Sequence, residues 1–190
     1  MSEALGTALL IIARNTIALA LEEACRAYED APRLSLPGAT FVTLTRGREL
    51  RGCIGSLEAT RALRTDVQDN AAAAAFRDPR FAPLTQLEFP DTVIEVSLLS
   101  QPEPLAADDE HHARSILRPG VDGVVLEFGS RRSTFLPQVW EQLPEPHQFL
   151  SHLKRKAGLQ GDFWHGSIRL SRYTVQKWSE LGTRSAAATP

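Results

Sequence analysis

Thr40-Phe41-Val42-Thr43-Leu44-Thr45-Arg46-Gly47-Arg48-Glu49-Leu50-Arg51-Gly52-Cys53-Ile54-Gly55 is the stretch whose reading decides the fold class. Residues 40–45 are rich in β-branched side chains and predict a strand. Arg46-Gly47 predicts a tight turn, because glycine takes a positive φ at little cost. The return strand then runs from about Glu49 to Ile54 and delivers Arg51-Gly52-Cys53-Ile54-Gly55 at its far end. A hairpin here, between two helical patterns, breaks any βαβ alternation and points to α+β with mostly antiparallel pairing.

Upstream, residues 4–27 predict a helix. Leu5, Leu9, Ile12, Thr16 and Leu19 recur at three- and four-residue steps, with Glu22, Glu23 and Arg26 outside. Leu10, Ile11 and Ile17 lie off that stripe, so the helix is expected to be covered on more than one side. Cys25 reads as a small core residue. A Pro/Gly-containing loop, Ala31 to Gly38, follows.

Downstream, Thr60 is positioned to cap a second helix running to about Arg77, with Leu63, Val67, Ala71 and Ala74 as its buried stripe. The run Ala71 to Ala75 lets that helix lie close to a sheet, and Asp78-Pro79 ends it. Residues 80–84 form an ordered loop. Val93 to Leu99 predicts a strand, and Gln101 to Pro104 a break. A short helix over Asp108 to Leu117 precedes a hairpin, Gly123–Phe128 with Ser133–Leu136, about Gly129-Ser130-Arg131. Pro137 opens a short helix through Trp140. Pro146 to Ala157 is a longer one, with Phe149, Leu150 and Leu153 inside and Gly158 as its cap. Residues 167–179 read as one last strand. Residues 1–181 are expected to form a single domain, and the small, polar 182–190 a disordered tail.

The chain has 190 residues, enough for a domain that buries roughly 70% of its unfolded surface. Its 43% apolar and 23% charged residues are ordinary globular values, and the net charge of −2 is no signature of a polyanion binder. Two separated cysteines make neither a disulfide framework nor a CxxC pair. Glu3 stands where a signal peptide carries positive charge, and the run Ala8 to Ala13 is short for a membrane span. A cytoplasmic protein is expected.

The chemistry concentrates at Cys53. A thiolate there would be a nucleophile, and Arg51, two residues away on a regular strand, would share its face. The same cysteine reads equally as a packed core residue. His165 is the candidate base, against a plain loop histidine. Asp78 and Arg80 either grip an anion or pair with each other. His147 and His152 lack the spacing of a helical metal pair, and Asp108 to His112 reads as a polar helix start, so neither metal nor cofactor is expected. Arg131-Arg132 and Lys154-Arg155-Lys156 read as solvated basic clusters, and nucleic-acid binding is disfavoured.

Leu50-Arg51-Gly52-Cys53-Ile54-Gly55, followed by Asn70 to Ala75 and Phe76-Arg77-Asp78-Pro79-Arg80-Phe81, resembles the AMMECR domain family. Glu95 to Ser100, Gly120 to Val124 and Thr134 to Glu141 resemble its later blocks. The resemblance spans about residues 4–181, and Ala62 departs from a frequent proline. It implies a compact two-lobed α/β sandwich-like domain with Arg51 to Gly55 at the cleft between unequal lobes. Bacterial members are called protein A of the AmmeMemoRadiSam system, which implies a Memo-like protein and a radical S-adenosylmethionine enzyme as partners. No reaction is implied. Two functions follow. One is an enzyme or substrate-handling component for a small-molecule or peptide substrate, with Cys53 as nucleophile or redox thiol, His165 as base, and Arg51, Gly52, Ile54, Gly55, Asp78 and Arg80 contacting substrate. The other is a non-catalytic binding or scaffold module for a protein partner or, less favoured, RNA.

Overall fold

The computed structural model describes residues 2–182. In chain order the elements are α1 (Ser2–Ala20), β1 (Pro37–Gly38), β2 (Thr40–Arg46), β3 (Glu49–Gly55), β4 (Arg61–Ala62), α2 (Leu63–Phe76), β5 (Thr92–Leu99), β6 (Glu103–Pro104), α3 (Glu110–Ile116), β7 (Gly123–Phe128), β8 (Arg131–Phe135), α4 (Pro146–Lys156), β9 (Arg169–Tyr173) and β10 (Val175–Ser179). The chain is α+β, and the pairs β2–β3, β2–β5, β7–β8 and β7–β9 are all antiparallel. It divides into two compact units, one reaching Leu99 and resuming at Gln176, the other spanning Ser100–Val175.

The first unit holds a four-stranded sheet in the order β10-β5-β2-β3. Its period-2 pattern sends Val42, Leu44, Ile94 and Val96 to one face. There they are buried with Leu9, Ile12, Ala13 and Ile17 of α1 and Leu63, Val67, Ala71 and Ala74 of α2. Residues Glu3–Ala20 of α1 are long and apolar enough to cross a membrane by length and composition. Their buried stripe is nonetheless core of this unit.

α1 ends at Ala20, short of the expected 27. Glu22 takes a left-handed φ of 59°. The Glu23 amide then donates to Ala18 O at 2.8 Å and the Glu22 amide to Leu19 O at 3.3 Å, a Schellman stop with glutamate in the usual glycine place. Leu19, expected inside, is 68% exposed, and Cys25, expected in the core, is exposed on the irregular segment beyond the stop. Asn15 pins that segment, accepting the Arg26 amide at 2.8 Å and donating to Arg26 O at 2.7 Å.

The hairpin turn is Gly47-Arg48, with φ of 57° and 75°, closed by the pair Arg46 and Glu49. Both central residues are left-handed, as a two-residue hairpin loop demands. Leu44 pairs with Gly52 but Thr45 with Leu50, so Arg51 is the extra residue of a β-bulge. The start of α2 is set by backbone pairing and not by Thr60: β1 pairs with β4, and the Leu63 amide donates to Leu36 O at 2.8 Å.

The second unit holds the sheet β6-β9-β7-β8. Val124, Leu126 and Leu170 pack with Phe149, Leu150 and Leu153 of α4, and Trp140 stacks on Phe149 at 3.8 Å. α4 stops as expected at Gly158, φ 74°, with the Leu159 amide on Lys154 O. Of its basic triplet, Arg155 and Lys156 are exposed as expected, but Lys154 is not solvated. Lys154 is fully buried, with Nζ 3.0 Å from Glu110, and Lys156 Nζ donates to Thr134 O at 3.0 Å. Arg131 and Arg132 belong to β8, because the hairpin turn is Gly129-Ser130. The 101–104 break contains β6, paired to β9. The single last strand is two, broken at Thr174, with β9 in this sheet and β10 in the other. The expected tail lies, from residue 183, outside the described residues.

Glycine suits the left-handed position at 22 better than glutamate, by about 1 kcal/mol. Glu22→Gly is therefore expected to raise the urea midpoint at unchanged m-value. An unchanged or lower midpoint would contradict the helix stop.

Candidate functional site

β3 is an edge strand, and an unpaired edge exposes amides and carbonyls that need partners. The loop after α2 supplies them with side chains. The Cys53 amide donates to Asp78 Oδ2 at 2.9 Å, and Arg80 Nη2 donates to Cys53 O at 3.2 Å. Arg80 also grips Asp78 through Nε and Nη2, at 2.9 and 2.7 Å, and through its amide at 3.1 Å. Together the two residues offer β3 the acceptor and donor that a neighbouring strand would. The Arg80 guanidinium, reinforced by the two amides and opposed by burial, holds the Asp78 carboxyl well below the usual carboxylate range. Asp78 in turn pushes the Arg80 pKa up.

Arg51, the bulge residue, is tied further along the same edge. Its Nε and Nη2 donate to the two Glu88 oxygens, each at 3.1 Å. Glu88 also accepts the Thr85 amide at 3.0 Å and hydroxyl at 2.9 Å. Arg51 first, then Thr85, bring the Glu88 pKa down to about 2. The Phe81 ring lies 5.9 Å from the Arg51 guanidinium and 5.4 Å from that of Arg80.

The expected alignment of Arg51 with Cys53 fails, because the bulge interrupts the alternation. Cys53 pairs instead with Thr43, and its Sγ lies 3.3 Å from Thr43 Oγ1. Thr43 pairs on its other side with Glu95, whose carboxylate lies 3.5 Å from Lys177 Nζ. Thiol, hydroxyl, carboxylate and ammonium thus form one row on the sheet face turned away from α1 and α2. Phe41 shares that face, and its ring lies over Gly55, where an added Cβ would meet Phe41 Cγ at 2.2 Å. Gly52 serves the opposite face: a Cβ there would stand 2.2 Å from Ala74 O, so glycine is what lets α2 rest on β3. Ile54 pairs with Val42 and packs on the core.

The far end of β3 is fixed by a group that the sequence reading missed. Asp66, fully buried, accepts from Ser56 Oγ at 2.7 Å, Arg61 Nε at 2.9 Å, Thr40 N and Oγ1 at 2.7 Å each, and Asn70 Nδ2 at 3.0 Å. The signal was present, since Asp66 and Asn70 are polar residues beside Val67 and Ala71 on the buried side of α2.

The structure therefore brings Arg51, Gly52, Cys53, Ile54, Gly55, Asp78 and Arg80 to one strand and its edge. His165 belongs to the second unit, where Nδ1 accepts the Ser167 amide at 3.0 Å and the ring meets Phe128 edge-on at 5.6 Å. Among the described residues no three His, Cys, Asp or Glu side chains group as a metal site.

A profile of the AMMECR1 family matches residues 10–178, which takes in both units. The chain belongs to the AMMECR1 family. A protein of Thermofilum pendens is 36% identical, over 92% of this chain and 89% of its own length. One of Sulfolobus acidocaldarius is 38% identical, over 93% and 82%. The crystal structure of an uncharacterized protein from Pyrococcus horikoshii superimposes with a TM-score of 0.75 at 29% identity, covering 95% of this chain and 93% of that one. The AMMECR1 resemblance stated from Leu50 to Gly55 and Asn70 to Phe81 is thereby shown, and in this member those two blocks face each other across the β3 edge.

Because Glu88 is depressed to about 2, its contribution is full above the unfolded value near pH 4 and is lost as pH falls through 2. Asp78 shifts in the same direction. Stability of the wild type is expected to fall from about pH 5 downward. Glu88→Gln should flatten that slope while lowering stability at neutral pH. Parallel pH profiles for the two proteins would refute the ion pair.

Proposed function

We propose that this AMMECR1 protein is a substrate-handling component that binds a small-molecule or peptide-like ligand over the Cys53–Thr43 row. It supplies a rigid binding surface and not a self-contained catalytic apparatus. The observation that carries this reading is the setting of Cys53. Its amide, carbonyl and sulfur are held by Asp78, Arg80 and Thr43. Among the described residues, the hydrogen-bond partner of Sγ is a hydroxyl, not the imidazole or carboxylate that an activated nucleophile requires.

Of the two arginines expected to contact substrate, Arg80 is the ligand anchor in this reading. Arg51 is committed to Glu88, with its side chain 14% exposed, whereas Arg80 is 53% exposed beside the cysteine. An exposed guanidinium can hold a carboxylate or phosphate. The resemblance to protein A of the AmmeMemoRadiSam system supports a cytoplasmic protein working with a Memo-like protein and a radical S-adenosylmethionine enzyme. The half-buried thiol also supports a second reading, with Cys53 as nucleophile or redox thiol.

Co-purification with the Memo-like and radical enzymes of the same genome separates these. Cys53→Ser should be recovered with both partners as the wild type is. A small-molecule or peptide ligand retained by the purified wild type, read by mass spectrometry, should be reduced about tenfold in Thr43→Arg, which lays a long cation across the row, the equivalent of ~1.4 kcal/mol. No co-purification of the wild type would remove the partnership. A covalent adduct on Cys53, seen by mass spectrometry and absent in Cys53→Ser, would overturn the binding reading in favour of thiol chemistry.

A further inference from the structure

The first unit carries an open groove of ≈ 720 Å³ beside α1. That volume lies in the range of small-ligand sites. Leu10 and Ile11 of α1, with Phe89 and Val93, give it an apolar floor. Four charged side chains also line it, and two of them are spent. Arg14 pairs with Glu180 and donates to Phe89 O at 3.2 Å and Thr92 O at 2.6 Å.

The other two are Glu23 and Arg26, on the segment beyond the α1 stop. Glu23 Oε1 accepts from Gln86 Nε2 at 2.8 Å, and no described residue donates to Oε2. Asn15 holds the Arg26 backbone, while the Arg26 guanidinium makes no hydrogen bond or ion pair with the described residues. Three residues of chain span at most ~10 Å, so the backbone positions that carry an open acid and an open base stand within that distance beside an apolar floor, and both side chains are exposed. A short peptide in extended form separates its own two termini by a similar ~10 Å.

We propose that this groove binds a short apolar peptide with free ends, its ammonium at Glu23 and its carboxylate at Arg26. The site is independent of the Cys53 row and does not rest on the function proposed for it.

Calorimetric titration with Ala-Leu-Val, its N-acetyl form and its C-amide tests this. The free tripeptide should bind saturably, and each cap should weaken it about three- to fivefold, as for a partly exposed ion pair. Acetylation should cost nothing further in Glu23→Gln, and amidation nothing further in Arg26→Gln. Both substitutions are at exposed positions, and matching thermal melts would show that the variants fold. Absence of saturable binding, or equal binding of all three peptides, would overturn the proposal. So would concentration-dependent self-association abolished by Leu10→Asp, which would make the groove an interface between copies.

Discussion

The Asp78 carboxylate on the free edge of β3 is the contact on which the candidate site depends. An edge strand leaves a row of unsatisfied backbone groups, and most proteins cover it with another strand or blunt it with charge. Here one buried carboxylate takes the Cys53 amide, and its own guanidinium partner takes the Cys53 carbonyl. The pair acts as a strand of two side chains. It ties the end of α2 to β3 from outside, while Gly52 against Ala74 O ties them from inside. Asp66 closes the other end through Ser56 and Arg61. Cys53 is thus presented from a strand clamped at both ends, and rigidity of that kind is what a binding row needs.

Much of the fold was legible. The hairpin of residues 40–55, the α2 stripe of Leu63, Val67, Ala71 and Ala74, and the Gly158 stop are local patterns with local causes. What escaped was set by tertiary pairing or by an unusual residue at a familiar position. Glu22 took the left-handed place that glycine usually marks, so α1 looked longer than it is and Cys25 looked internal. The α2 start came from the β1–β4 bridge, which residues 37–38 and 61–62 do not announce. Thr174 divides what reads as one strand between two sheets, a choice that the nearby apolar pattern does not encode. Lys154 looked solvated because its partner, Glu110, lies 44 positions away.

The site was legible as a segment but not as a geometry. Arg51 to Gly55 and Asp78 to Arg80 do meet, and of the two readings offered for Asp78 and Arg80 the mutual pair is the one seen. The bulge at Arg51 was invisible in sequence, because it is defined by the register of the partner strand. It removes Arg51 from the Cys53 row and replaces it with Thr43 and Glu95, to which the sequence reading gave no role in the site. Two of the glycines are explained by close approach alone, Gly52 to a helix carbonyl and Gly55 to an aromatic ring.

Hydrogen exchange at the Cys53 amide tests the clamp most directly. If Asp78 holds that amide as the geometry shows, it should exchange slowly in the wild type and at least ~10-fold faster in Asp78→Ala, with the β2 amides unchanged. An equally fast Cys53 amide in both proteins would mean that the edge is not held, and the account of a preorganised row would fail.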